Sequence, residues 1–150
     1  MTRLAPTLCA LALASCGGGA DLPKGWEGAR SLPITQPTCS DGTGLGLEST
    51  VIATGHAGGI DVLYQRATFR CDQKVQAFLR EKDGAFDVLF QPLLMNPSTV
   101  ARCDCAYNLE TSFGAPSGEH KVTVWKRWDA YGQASAPEPI ADGSALAKVP

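Results

Sequence analysis

The sequence predicts an all-β chain: a small antiparallel, immunoglobulin-like β-sandwich preceded by an export signal and a flexible tether. Three observations predict it. From Leu47 onward, short runs rich in Val, Ile, Thr and aromatic residues recur at close spacing, which is strand composition. Gly, Pro and Asp-Gly breaks divide them. The stretch RCDCAYNLE alternates with period two, placing Cys103, Cys105, Tyr107, Leu109 and Thr111 on one face of a strand.

The chain opens MTRLAPTLCALALASC. Arg3 is followed by an uncharged apolar run over residues 4–14. Eleven helical residues rise only about 16 Å, too short for a bilayer core but right for the apolar part of an export signal. Residues 16–46 are dense in Gly, Pro, Ser and Thr and hold no sustained period, so they read as a tether. A free coil over residues 17–38 would reach roughly 25 Å.

The sandwich is expected over residues 47–133. STVIAT (residues 49–54) is a β-type run closed by GHAGG. Residues 60–64 and 67–71 read as two short strands. Residues 74–80 alternate Val75, Ala77 and Leu79 against Gln76, Phe78 and Arg80, although Val75, Phe78 and Leu79 also fit a helix. The signal Lys82-Asp83-Gly84 before AFDVLFQ argues for a hairpin, because Asp-Gly tolerates the positive φ of a tight turn. After the CxC strand, His120 to Trp125 is a β-branched run. The tail, residues 134–150, is expected to be loosely ordered, with room for one edge strand.

The run Leu13-Ala14-Ser15-Cys16 resembles the lipobox of bacterial lipoproteins. That resemblance implies removal of residues 1–15 and a lipidated Cys16 carrying diacylglyceryl and palmitate-type acyl chains. Two or three chains anchor stably where one does not. It places the protein in the bacterial cell envelope, held to a membrane, and Gly17 after the cysteine points to the outer one, on its periplasmic or surface face. The order strand–Cys71, hairpin, Cys103-x-Cys105-x-Tyr107-x-Leu109, then Gly118 before Val122-x-Val124 also resembles small cysteine-bearing β-domains of bacterial lipoproteins. This second resemblance covers residues 60–128 and implies a sandwich and no activity. His120 stands where those domains usually carry an aromatic.

Without Arg3, the mature side chains carry 12 basic and 15 acidic groups, which is no footprint for nucleic acid. With Cys9 in the leader and Cys16 lipidated, Cys39, Cys71, Cys103 and Cys105 remain. In an oxidising compartment an even set reads as disulfides, and four cysteines allow three connectivities. The expected pairing joins Cys71 to Cys103 or Cys105, with Cys39 taking the other thiol. The alternative is a thiolate metal site for zinc or copper(I), whose softness suits sulfur. A CxC on an extended strand lacks the turn by which CxxC knuckles aim both sulfurs at one ion, so no metal and no cofactor is assigned.

Other motifs fall short of their chemistry. GTGLGL (residues 42–47) has the letters of the glycine-rich box of histidine-kinase ATP-binding domains, without the accompanying DxGxG segment and Asn-bearing helix. His56 and His120 lack a GxSxG nucleophile elbow, and no enzyme is expected. Trp125, Trp128 and Tyr131, with Lys126 and Arg127 among them, form the candidate binding surface, although aromatic-rich strands also make ordinary cores. The function expected is a non-enzymatic binding or structural module, membrane-bound through Cys16, with an unidentified envelope partner.

Overall fold

The computed structural model describes residues 22–39, 45–93, 103–130 and 133–150; the expected leader, Cys16 and Tyr131 lie outside them. The described residues form strands and no helix: β1 (Arg30–Leu32), β2 (Ile34–Thr35), β3 (Thr50–His56), β4 (Gly59–Arg70), β5 (Val75–Lys82), β6 (Ala85–Pro92), β7 (Asp104–Gly114), β8 (Gly118–Lys126), β9 (Asp129–Ala130), β10 (Gln133–Ala134) and β11 (Glu138–Val149). Two sheets pack face to face. One runs β1-β5-β6-β8-β11 and the other β2-β7-β4-β3, with β9 and β10 pairing separately.

The all-β sandwich is therefore as the sequence predicts, with one exception to antiparallel pairing. Strands β6 and β8 run parallel, with Val88 opposite Val124. The chain leaves β6, crosses to the second sheet as β7, and returns as β8, so it re-enters in the same direction. A parallel neighbour always needs such a crossover.

Local chemistry explains the elements. Asp83 (φ 52°) and Gly84 (φ 76°) form the β5–β6 turn, with both central residues in the left-handed region that Asp-Gly accommodates. Residues 75–82 are strand, because their alternate residues Val75, Ala77 and Leu79 are buried between the sheets. The two short strands expected over residues 60–71 are one strand, β4, interrupted by a bulge. Tyr64 pairs with Leu109 and Ala67 with Tyr107, so Gln65 and Arg66 together oppose Asn108. Arg66 takes φ 55°, its amide donates to Asn108 Oδ1 at 3.2 Å, and its Nε donates to Glu48 O at 2.6 Å.

The ends of the chain depart from expectation. Within the expected tether, β1 joins the first sheet and β2 the second, so the chain changes sheets at Pro33. Proline suits this point, since it has no N–H to leave unpaired between two ladders. Thr111 Oγ1 donates to Pro33 O at 2.6 Å and holds the crossing in place. In the expected loose tail, β11 pairs along β8 from Val149 opposite Gly118 to Glu138 opposite Lys126, with an irregularity between Pro139 and Ser144. Strand β11 also meets β3 at the other long side of the sandwich. A Cβ added to Gly55 would lie 2.1 Å from Lys148 O, so only glycine permits this backbone approach.

The core lies between the sheets, where Ile60, Phe69, Val88, Phe90, Leu109 and Val122 are all inaccessible to solvent. Burying each such side chain contributes roughly 1.5–3 kcal/mol. A smaller cluster sits on the outer face of the first sheet, where Trp26 packs on Phe78 and Leu89. Residues 22–29 thus form a strap, turned by the amides of Trp26 and Ala29 donating to Pro23 O and Trp26 O, each at 3.0 Å. This explains why β6 is buried on both faces. Leu89 lies under the strap, and Asp87 accepts from Arg80 Nε and a terminal guanidinium nitrogen at 3.1 and 2.7 Å.

Candidate functional site

Cys39, Cys71, Cys103 and Cys105 meet at one end of the sandwich, in the disulfides Cys71–Cys103 and Cys39–Cys105. The pairing belongs to the expected set. Strand register explains it: β4 and β7 pair Phe69 with Cys105 and Arg70 with Asp104, so Cys71 and Cys103 come next in the ladder. The Cys71 amide continues that ladder by donating to Cys103 O at 3.0 Å. Cys105 points into the core and is 1% exposed, whereas Cys39 is exposed.

Cys39 is brought there by a clamp independent of sulfur. Gln36 Nε2 donates to Gln73 O at 2.8 Å, and the Val75 amide donates to Gln36 Oε1 at 2.9 Å. Tyr107 sits beside the bridges, as the alternation predicts, and its hydroxyl donates to Cys71 O at 3.1 Å. Burial raises its pKa above the ordinary phenol value. The Sγ atoms of Cys39, Cys71 and Cys105 all lie within 4.8 Å of one another.

The aromatic residues expected to share a surface are divided. Trp125 lies under the strap on the outer face of the first sheet, edge-on to Trp26 at 6.1 Å between centroids. The Arg80 guanidinium sits 4.0 Å from the Trp26 ring centre and 5.6 Å from that of Trp125. Trp128 instead stacks on the core residue Phe69, at 6.2 Å and 21°. Lys126 Nζ lies over Trp128 at 4.4 Å and donates to Thr68 O at 2.6 Å. Burial lowers the Lys126 pKa to about 8, against the opposing pull of Glu138 and Asp104. Trp125 and Trp128 are packing residues on different clusters rather than two walls of one groove.

A groove of about 430 Å³ does exist, on the outer face of the second sheet. Register builds it across four strands: Ile52 on β3 faces Leu63 on β4, which faces Glu110 on β7, which faces Thr35 on β2. The next row is Thr54, Asp61 and Ser112. Its lining is apolar at Ile34, Ile52 and Leu63, acidic at Asp61 and Glu110, and contains no Lys or Arg. Ile52 is 46% exposed and adds an apolar contact to this face.

The two histidines stand on strands of different sheets, His56 on β3 and His120 on β8. His56 Nε2 lies 3.5 Å from Asp61 Oδ1 at the end of the groove, with both side chains exposed. His120 Nε2 is 2.8 Å from Pro116 O and its ring packs on Phe86. Among the described residues no serine hydroxyl is bonded to either ring.

Residue spacing could not reveal the groove, since Thr35, Ile52, Leu63 and Glu110 are scattered along the chain. The available signal was a polar-face position of β3 occupied by isoleucine. Comparison with protein-family models, curated proteins and solved structures finds no match to this chain.

Proposed function

We propose that this chain is an envelope-anchored lipoprotein, tethered through an acylated Cys16, whose sandwich is a non-enzymatic binding module. The acid-flanked groove on the second sheet is its binding surface, and it takes an extended segment of an envelope partner bearing basic and aliphatic side chains. The single observation that carries this reading is the groove's composition. Ile52 and Leu63 offer apolar contact, while Asp61 and Glu110 supply negative charge with no cation among the lining residues. Such complementarity speeds encounter and rejects acidic competitors. The lipobox resemblance supports the anchor, and the two disulfides suit an oxidising compartment.

The reading is tested by titrating the folded chain with a short alternating Lys-Leu peptide and following backbone amide shifts. The shifts should cluster at Ile52, Leu63 and Glu110, weaken with added salt, and vanish in the double variant Asp61→Lys, Glu110→Lys. An Asp-Leu peptide should not bind. Shifts centred elsewhere, or binding untouched by the charge reversal, would refute the groove. The anchor has its own test: fatty-acid labelling of expressing cells should disappear with Cys16→Ser.

A further inference from the structure

The cysteine cluster is assembled by the fold as well as by its own sulfur bonds. Cys71 and Cys103 are neighbours in the β4–β7 ladder, Cys105 is held by its pairing with Phe69, and Cys39 is brought in by the Gln36 clamp. Three sulfurs lie within 4.8 Å of one another, and the fourth, of Cys103, is bonded to Cys71. With metal–sulfur bonds of about 2.3 Å, two thiolates on one tetrahedral ion stand roughly 3.8 Å apart. The spacing therefore suits a single ion after small side-chain rotations.

The cluster is also reachable. A pocket of about 500 Å³ opens beside it, with Cys39, Cys71, Asp72, Gln73, Lys74 and Tyr107 in its wall. Gln73 is 2% exposed, and its Nε2 has no hydrogen-bond partner among the described residues. Gln73 thus brings an amide donor to the pocket wall, where Lys74 and Asp72 add one charge of each sign.

From this geometry we infer that the reduced chain holds one soft, thiophilic ion, zinc(II) or copper(I), through Cys39, Cys71, Cys103 and Cys105. The site is separate from the groove and independent of the binding reading above. A dithiol reductant opens it. Two dithiols deliver four electrons and four protons, leaving as two disulfides, and the protein's two S–S bonds become four thiols. Metal entry forms four metal–sulfur bonds and releases the four thiol protons to solvent. Oxidation by two disulfides, which take up four electrons and four protons and leave as thiols, re-forms both S–S bonds and expels the ion. The cluster thus alternates between covalent staple and metal site, with the redox state of its surroundings choosing between them.

The test uses the full chain, oxidised or reduced by a phosphine that is removed before metal is added. Cobalt(II) should give sulfur-to-metal charge-transfer and tetrahedral ligand-field absorption with the reduced chain and none with the oxidised chain. Zinc(II) should bleach those bands at one equivalent, and a separate competition against a copper(I) chelator tells which ion binds more tightly. The double variant Cys39→Ser, Cys105→Ser keeps the other pair, and should lose more than about a hundredfold in affinity when reduced. If the reduced chain unfolds without metal, zinc should restore its strand circular dichroism. A reduced chain that neither binds cobalt nor refolds with zinc, or a double variant binding as tightly as the parent, overturns the inference.

Discussion

Lys126 shows how one buried cation ties stability to pH. Its ammonium is enclosed by Phe69, Trp128 and the Thr68 carbonyl, and burial brings its pKa down to about 8 from 10.5. Above about pH 8 the folded chain gives up this proton while the unfolded chain keeps it until near pH 10.5. The unfolded state therefore binds more protons in that window, and stability rises with pH. Tyr64 and Tyr107 have phenols raised by burial, so the unfolded chain ionises them first and stability falls again above about pH 10. The melting temperature should climb between pH 8 and 10, and Lys126→Met should flatten that climb. An unchanged slope in the variant would show that Lys126 is not the group responsible.

At the same scale, single residues show what could be read beforehand. Cys105, Tyr107 and Leu109 are buried as their period-two spacing predicts, because a strand offers only two faces. Asp87 also follows the alternation, yet it is buried, since Arg80 reaches across from β5 to pair with it. Its partner lies seven residues away, and the hairpin register that joins them follows from the Asp-Gly turn.

Among the elements, the strap was least readable. Residues 22–29 contain Pro, Gly and a lone Trp, which give no period, and nothing local says that Trp26 covers Phe78 and Leu89. Its structure is borrowed from the sheet beneath it. Trp26→Ala should therefore cost about 3–5 kcal/mol in denaturant unfolding. It should also expose Trp125 to water, shifting tryptophan emission to the red. Amide exchange should accelerate over residues 22–29 while β4 and β7 keep their protection; equal acceleration in all three would mean that the strap is not a separate element. Strand β11 was hidden for a different reason. Its buried residues include Gly143 and Ala147, too small to register as a hydrophobic period, and the irregularity after Pro139 breaks the alternation. The bulge at Arg66 split β4 in the same way.

For the whole molecule, fold class was readable because it depends on composition and turn chemistry, both local. The groove was not, because it depends on which strands become neighbours. Global stability rests partly on the disulfides, whose spans are 66 residues for Cys39–Cys105 and 32 for Cys71–Cys103. Each should contribute about 4 kcal/mol through the restricted unfolded chain. Doubling the span adds only about 0.6 kcal/mol. Paired serine variants should thus destabilise the chain by similar amounts, slightly more for Cys39 with Cys105, in equilibrium unfolding. A difference of several kcal/mol would show that native contacts near one bridge, rather than loop closure, set its worth.

The passage of the chain from one sheet to the other at Pro33, followed by Cys39, has a mechanical consequence. A pull on the N-terminal side first peels the strap, then unzips β1 and β2 from the two sheet edges. The peeling stops at Cys39, whose bond to Cys105 transfers the load to the middle of the second sheet, where β7 lies between β2 and β4. The same bond that closes a loop in the unfolded chain thus limits the folded one to a short, recoverable extension under tension.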